Sequence, residues 1–194
     1  MSDASHRRRV APIIVLVVAL VLGGLFWILA SSDSTNADKL GVIDSPLLGK
    51  PAPTVRSTTL DGQPFDLSRR KGSWVVLNFF NSTCAPCRAE HPEMVKFVQQ
   101  QAGFGTAGAE FYTVLQYLDD INNVKSFFLT RGGSWPIVRD TDSGSINIAF
   151  GVAQVPETFI IDPAGVVVLR WAGPIDADTL SRLVQQARDA EGGT

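Results

Sequence analysis

Two cysteines, Cys84 and Cys87, carry the strongest chemical signal in the sequence, and they are the only cysteines among its 194 residues. The apolar run at residues 74–80 (WVVLNFF) predicts a strand that is buried on both faces. The Asn-Ser-Thr sequence at residues 81–83 offers helix caps, so a helix is expected to begin at the cysteines. The positive end of that helix would lower the pKa of Cys84 and make its thiolate a nucleophile. Cys87, one turn deeper, could then attack the mixed disulfide formed at Cys84 and release a reduced substrate.

Three other interpretations of the cysteine pair compete with disulfide exchange. A purely structural disulfide would close a very short loop, and so short a loop adds little stability. Inert buried thiols do not fit the exposed turn that the polar residues before Cys84 predict. A metal site could combine Cys84, Cys87 and His91, but a structural zinc site needs four ligands and the only other histidine is His6. A copper ion bound by the two thiolates and the imidazole stays open as an alternative.

The N-terminal part of the chain predicts a membrane anchor. Residues 1–9 contain three consecutive arginines, and residues 10–30 are apolar and uncharged over a length that spans a bilayer as a helix. Arginines before this segment and acidic residues after it predict a cytoplasmic tail at residues 1–9 and an extracytoplasmic location for the rest of the chain. A cleaved signal peptide is the competing interpretation, but its apolar segment should be shorter.

The remainder of the chain predicts a polar linker at residues 31–48 and one domain at residues 49–194. The composition is that of a globular protein, with 45% hydrophobic residues and a net charge of -2, and it gives no sign of nucleic-acid binding. Strand and helix patterns alternate along the domain, and a turn at residues 163–165 suggests a hairpin before a final amphipathic helix. The sequence therefore predicts an α/β fold with a central mixed sheet and helices on both faces.

The segment VVLNFFNSTCAPCRAEHPEM at residues 75–94 resembles the strand, turn and CxxC helix of the thioredoxin fold. Together with GKPAPTVRSTTLDGQPFDLS at residues 49–68, it resembles the membrane-anchored, thioredoxin-like family that includes TlpA, ResA and DsbE. Three further segments are most similar to the DsbE branch, the cytochrome c maturation reductases: QYLDD (116–120), FGVAQVPETFIID (150–162) and LRWAGPI (169–175). The resemblance implies that the predicted domain has a thioredoxin-like fold.

The resemblance also implies roles for five residues. Cys84 matches the attacking cysteine and Cys87 the resolving one. Pro156 matches the proline whose preceding peptide bond is cis and faces the CxxC motif, and the backbone of Val155 would pair with an extended substrate peptide. Glu157 matches an acidic residue beside the active site, where a raised pKa would allow its carboxyl group to carry the proton of Cys87.

Two positions depart from the pattern of general thioredoxins. Asn78 stands where those proteins carry a buried aspartate, so proton transfer would have to use Glu157, Asp119, Asp120 or water. Thr83 stands where an aromatic residue usually precedes the first cysteine, and this change weakens the apolar platform that would bind substrate.

The function implied by the resemblance is that of a thiol-disulfide oxidoreductase that reduces the disulfide of apocytochrome c before haem attachment. The implied partners are apocytochrome c or other thiol and disulfide proteins, the membrane, and a transmembrane electron donor of the CcdA or DsbD kind. No cofactor is expected beyond the redox-active disulfide. A general disulfide oxidase, and a copper or zinc metallochaperone that uses Cys84, Cys87 and His91, remain alternative functions. A thiol peroxidase is disfavoured, because no threonine lies three residues before either cysteine.

Overall fold

A computed structural model of the chain describes residues 16–24, 41–140 and 143–192. The chain divides into two compact units, Met1–Lys39 and Leu40–Thr194. In the first unit, residues 16–24 are helical and are named α1. No helix within the described residues is both long and apolar enough to cross a membrane. The remainder of the predicted anchor, residues 10–15 and 25–30, lies outside those residues, so the anchor stays a prediction.

The second unit contains a mixed sheet of six strands in the order β1-β8-β7-β4-β5-β6. The β4–β5 and β5–β6 pairs are parallel, and the other pairs are antiparallel. A separate two-stranded hairpin consists of β2 and β3. The elements in chain order are β1 (Gly41–Val42), β2 (Arg56–Thr58), β3 (Pro64–Asp66), β4 (Val75–Phe80), α2 (Ala85–Ala102), β5 (Glu110–Leu115), α3 (Ile121–Arg131), β6 (Ile137–Val138), α4 (Ser145–Phe150), β7 (Glu157–Ile161), β8 (Val167–Ala172) and α5 (Ala177–Gly192), with short 3-10 turns at Leu67–Arg70 and Gly105–Ala107. The predicted mixed sheet is therefore confirmed.

The central strand β4 separates the hydrophobic core into two clusters. Every residue of β4 is buried, as its mainly apolar sequence predicted, and alternate side chains point to opposite faces of the sheet. One cluster contains Phe79 together with Phe150 of α4. The other contains Phe80 together with Cys87 of α2, and it also includes residues of α3 and α5. Helices therefore cover both faces, and the cysteine pair belongs to the face covered by α2, α3 and α5.

The last part of the segment predicted to be a linker contributes to the domain. Gly41 and Val42 pair with β8 at the edge of the sheet. Leu47 and Leu48 pack against the core cluster that contains Phe79. Residues 41–48 add backbone pairing and apolar contact to the domain although their composition is typical of a loop. The rest of the predicted linker, residues 31–40, lies outside the described residues.

Candidate active site

The two cysteines lie at the start of α2, directly after the carboxyl end of β4. They form a disulfide whose Cα atoms are 5.3 Å apart. Cys84 is the N-cap of α2, and its Sγ accepts the backbone N–H of Cys87 over 3.2 Å. Cys87 is fully buried, whereas Cys84 is partly exposed. A protein substrate can therefore reach the sulfur of Cys84 but not that of Cys87.

The loop before β7 faces the exposed cysteine. The Sγ of Cys84 lies 3.4 Å from the backbone carbonyl oxygen of Val155. The Val155–Pro156 peptide bond is cis, which confirms the conformation that the resemblance implied. Val155 is half-buried, Pro156 is buried, and Thr83 is exposed beside Cys84. The structure thus brings Val155 and Thr83 to the reactive sulfur, and their part in substrate binding stays a prediction.

The predicted proton carrier Glu157 lies on the other face of the sheet. In the antiparallel pairing of β4 with β7, Glu157 is directly opposite Phe79, and paired residues share a face. That face is opposite to the one that carries Cys87. The buried carboxylate of Glu157 is 2.7 Å from a guanidinium nitrogen of Arg170, with which it forms an ion pair. This position favours a structural role for Glu157, and its part in proton transfer remains an untested prediction.

The two aspartates considered as alternative acids have other partners. Asp119 is buried, and its carboxylate accepts both the backbone N–H and the hydroxyl group of Ser82. Asp120 is the N-cap of α3, where it accepts the backbone N–H groups of Asn122 and Asn123. Both carboxylates therefore hold backbone groups in place.

Glu90 is the acidic group that the analysis of the sequence missed. It follows Cys87 by three residues on α2 and is only 3% exposed. Its carboxylate accepts hydrogen bonds from the side-chain amide of Asn78 and the backbone N–H of Ile175, each over 3.0 Å. Burial raises the pKa of Glu90 to about 8, and the two hydrogen bonds only partly oppose this effect. Near neutral pH the Glu90 carboxyl group is therefore mostly protonated, and a smaller fraction of it is ionised.

A signal for Glu90 was present in the sequence. A residue three positions after Cys87 lies on the same face of the helix, and that face continues with the apolar residues Met94 and Phe97. A carboxyl group on an otherwise apolar face is expected to be buried and to have a raised pKa.

His91 does not face the cysteines as a third metal ligand would. Its Nε2 donates a hydrogen bond to the carbonyl oxygen of Gly132 over 2.9 Å. Its ring packs edge-on against Phe127 and Phe128, with centroid distances of 4.7 and 5.1 Å. Burial lowers the pKa of His91. In the part of the chain that the structure describes, no three His, Cys, Asp or Glu side chains group in a way that could hold a metal ion.

Comparison with known sequences places these features in a family. The sequence profile of the AhpC/TSA family matches residues 48–170. Over 172 residues the chain is 31% identical to the thiol:disulfide interchange protein HelX of Rhodobacter capsulatus, an alignment that covers 88% of this chain and 90% of HelX. Over 177 residues it is 29% identical to the thiol:disulfide interchange protein DsbE of Escherichia coli, with 88% of each chain covered.

Solved structures show the same similarity. A thiol:disulfide interchange protein of the thioredoxin family from Chlorobium tepidum superposes with a TM-score of 0.63 and 30% identity, covering 75% of this chain and 99% of that one. The MTB DsbF structure, described in mixed oxidised and reduced forms, superposes with a TM-score of 0.61 and 27% identity, covering 70% of this chain and 98% of that one.

Proposed function

The chain belongs to the AhpC/TSA family and is a thioredoxin-like thiol-disulfide oxidoreductase, and from this premise we propose that it reduces the disulfide of apocytochrome c before haem attachment. The observation that carries the proposal is the unequal exposure of the two sulfurs. The partly exposed Cys84 lies beside the carbonyl of Val155, and Cys87 is fully buried. This is the arrangement that a nucleophilic thiol and an intramolecular resolving thiol need.

The proposed reaction has two exchange steps. The thiolate of Cys84 attacks one sulfur of the substrate disulfide, which forms a mixed disulfide and releases one substrate thiolate. The thiolate of Cys87 then attacks the sulfur of Cys84, which releases the second substrate thiolate and leaves the Cys84–Cys87 disulfide. Two electrons pass to the substrate, and the reaction needs no cofactor besides the cysteine pair. The carboxylate form of Glu90, one helical turn from Cys87, accepts the proton of the Cys87 thiol.

The choice of substrate is supported by sequence features of the DsbE type. The segments at residues 116–120, 150–162 and 169–175 resemble the branch whose members reduce apocytochrome c. In the structure, Val155 of the segment 150–162 contacts the Sγ of Cys84, and Asp119 of the segment 116–120 contacts Ser82 in the turn before the disulfide.

The proposed location is the outer side of a membrane, with residues 10–30 as a single-pass anchor and residues 1–9 in the cytoplasm. The support is the uncharged apolar segment and the three arginines before it. In an oxidising compartment the Cys84–Cys87 pair would have to be reduced again after each turnover. The proposal therefore includes a membrane-embedded electron donor of the CcdA or DsbD kind. The anchor would raise the local concentration of the domain near such a partner.

The proposal is tested with the full-length chain in detergent, equilibrated in glutathione or dithiothreitol buffers and then alkylated. A reduction potential near about -270 mV, together with reduction of a disulfide peptide of the Cys-x-x-Cys-His type, is the expected result. Cys84→Ser, which lacks the nucleophile, is the matched control and should leave the peptide oxidised. A potential near about -120 mV would contradict the proposal and identify the alternative, a disulfide oxidase.

A further inference from the structure

Ser82, two residues before the exposed cysteine, has all its polar groups paired with charged side chains. The Oδ2 atom of Asp119 accepts its backbone N–H over 2.6 Å, and the Oδ1 atom of the same carboxylate accepts its hydroxyl over 2.5 Å. The Nη1 group of Arg88 donates to the backbone carbonyl oxygen of Ser82 over 3.0 Å. Ser82 is only 2% exposed and Asp119 is buried, so water does not compete effectively for the two bonds between them.

The carboxylate of Asp119 and the guanidinium group of Arg88 belong to different elements, and each element has contacts of its own. Asp119 belongs to the segment after β5, which is tied to the end of β4 by a hydrogen bond from the N–H of Gln116 to the carbonyl of Phe80. Arg88 belongs to α2, and its guanidinium group lies 5.2 Å from the centre of the Phe127 ring on α3. In the turn that leads into Cys84, Ser82 is therefore bonded both to the segment after β5 and to α2. We refer to Asp119, Ser82 and Arg88 as the serine clamp.

The serine clamp should matter most when the disulfide is absent. In the oxidised protein the Cys84–Cys87 bond itself holds Cys84 against α2. In the reduced protein that bond is gone, and the position of Cys84 depends on the turn at residues 81–83. A turn that stays rigid keeps the two thiols close together, and this proximity favours closure of the disulfide.

We propose that Asp119 is a positioning residue that, through Ser82, keeps Cys84 in place in the reduced protein and so makes the dithiol a stronger reductant. Loss of the carboxylate would give conformational freedom to the reduced form but not to the oxidised form. The equilibrium would then shift towards the dithiol, which means a weaker reductant. The inference rests on the proposed function, because it takes Cys84 and Cys87 as the reacting pair.

The charges around the turn favour the same direction of change. Two charged groups are bonded to the turn, Asp119 from the segment after β5 and Arg88 from α2. Asp120 is bonded instead to the start of α3, and the carboxyl group of Glu90 is mostly protonated near neutral pH. Replacing Asp119 by asparagine removes the negative charge that is bonded to the turn. A thiolate at Cys84 is then repelled less, which also stabilises the reduced form.

The test compares two aspartate-to-asparagine changes one residue apart. Asp119→Asn removes the charge from the serine clamp, and Asp120→Asn makes the same chemical change at the N-cap of α3. Full-length wild type and variants are equilibrated with glutathione in detergent, alkylated and analysed by mass spectrometry. We expect the equilibrium constant for disulfide formation to fall about tenfold in Asp119→Asn, which is about 30 mV in potential. It should change much less in Asp120→Asn, because the Asp120 carboxylate is bonded to the start of α3 and not to the turn.

Ser82→Ala provides an independent variant, since it removes only the hydroxyl bond to Asp119. It should lower the same equilibrium constant about threefold. If Asp119→Asn does not fold, this variant decides whether the serine clamp affects the equilibrium between dithiol and disulfide. An Asp119→Asn protein that melts at a lower temperature but keeps the wild-type equilibrium constant would overturn the proposal, because a merely structural role predicts that result. If the wild type itself forms no reversible disulfide, the proposed function fails rather than the serine clamp.

Discussion

The side-chain amide of Asn78 donates a hydrogen bond to the carboxyl group of Glu90 over 3.0 Å, in the buried layer between β4 and α2. Asn78 also donates to the hydroxyl oxygen of Thr158 over 3.1 Å, so both hydrogens of its amide have a partner. Asparagine does not titrate, which leaves Glu90 as the group of this pair that can hold or release a proton. General thioredoxins have their buried titratable group on the central strand, whereas in this chain it lies on α2, the helix that begins at the cysteines.

The protonation of Glu90 predicts a pH-dependent stability. Its pKa is raised from 4.5 to about 8 by burial, so between these values the folded chain keeps a proton that the unfolded chain releases. This contribution to the free energy of unfolding is complete below about pH 4.5 and is lost as the pH rises to about 8. The slope is at most about 1.4 kcal/mol per pH unit.

Glu90→Gln is the variant that isolates this effect. Urea unfolding of the oxidised wild type and variant at several pH values should show a difference that shrinks as the pH rises and then reverses, with the variant the more stable protein near pH 8. At low pH the variant should be less stable by about 1–2 kcal/mol, because one of the donors Asn78 and Ile175 loses its acceptor. Parallel pH profiles for the two proteins would contradict a raised pKa at Glu90.

The unequal exposure of the two sulfurs predicts which cysteine forms a covalent complex. In Cys87→Ser, the exposed Cys84 can attack a disulfide peptide, but no thiol resolves the product, so a mixed disulfide should accumulate. In Cys84→Ser, the buried Cys87 should form little or none. Mass spectrometry of the unreduced mixtures measures both complexes. Equal yields would mean that Cys87 is accessible, against the exposure seen here.

The Glu157–Arg170 pair is expected to contribute to stability rather than to chemistry. Arg170→Met would leave the Glu157 carboxylate buried without its partner, which should cost about 3–5 kcal/mol in the free energy of unfolding. The double variant Glu157→Gln with Arg170→Met should recover much of that loss. Stopped-flow measurement of disulfide exchange should give wild-type rates for folded Glu157→Gln. A rate more than tenfold lower would restore the role in proton transfer that the sequence suggested for Glu157.

His91→Phe tests the metal alternative. The substitution keeps an aromatic ring beside Phe127 and Phe128 but removes the hydrogen bond to the carbonyl of Gly132. The free energy of unfolding should fall by about 1 kcal/mol, while disulfide exchange stays unchanged. Binding of cuprous ion by the reduced protein, measured by competition with a chromogenic chelator, should not depend on His91. A marked loss of copper affinity would mean that His91 turns towards the thiols when metal is present.

Much of the fold and of the redox centre could be predicted from local patterns. The buried strand β4, the helix start at Cys84 and the mixed sheet follow from apolar runs, caps and turns in consecutive residues. The short strand at Gly41–Val42 could not be predicted, because its composition is typical of a loop and only its pairing with β8 makes it a strand. Pairing between distant segments leaves no trace in the composition of a two-residue strand.

The sequence by itself predicted the reacting atoms, because its only two cysteines stand at CxxC spacing before a helix and allow one disulfide within the chain. Only the tertiary structure decided which acidic groups lie near these cysteines. The alternation of β7 sends Glu157 to the face away from Cys87, whereas the helical repeat of α2 places Glu90 on the same face as Cys87. The parallel pairing of β4 with β5 brings Asp119 to Ser82 across 37 positions in the chain. A carboxyl group acquires its role from what surrounds it, and these surroundings are assembled by pairing between distant parts of the chain.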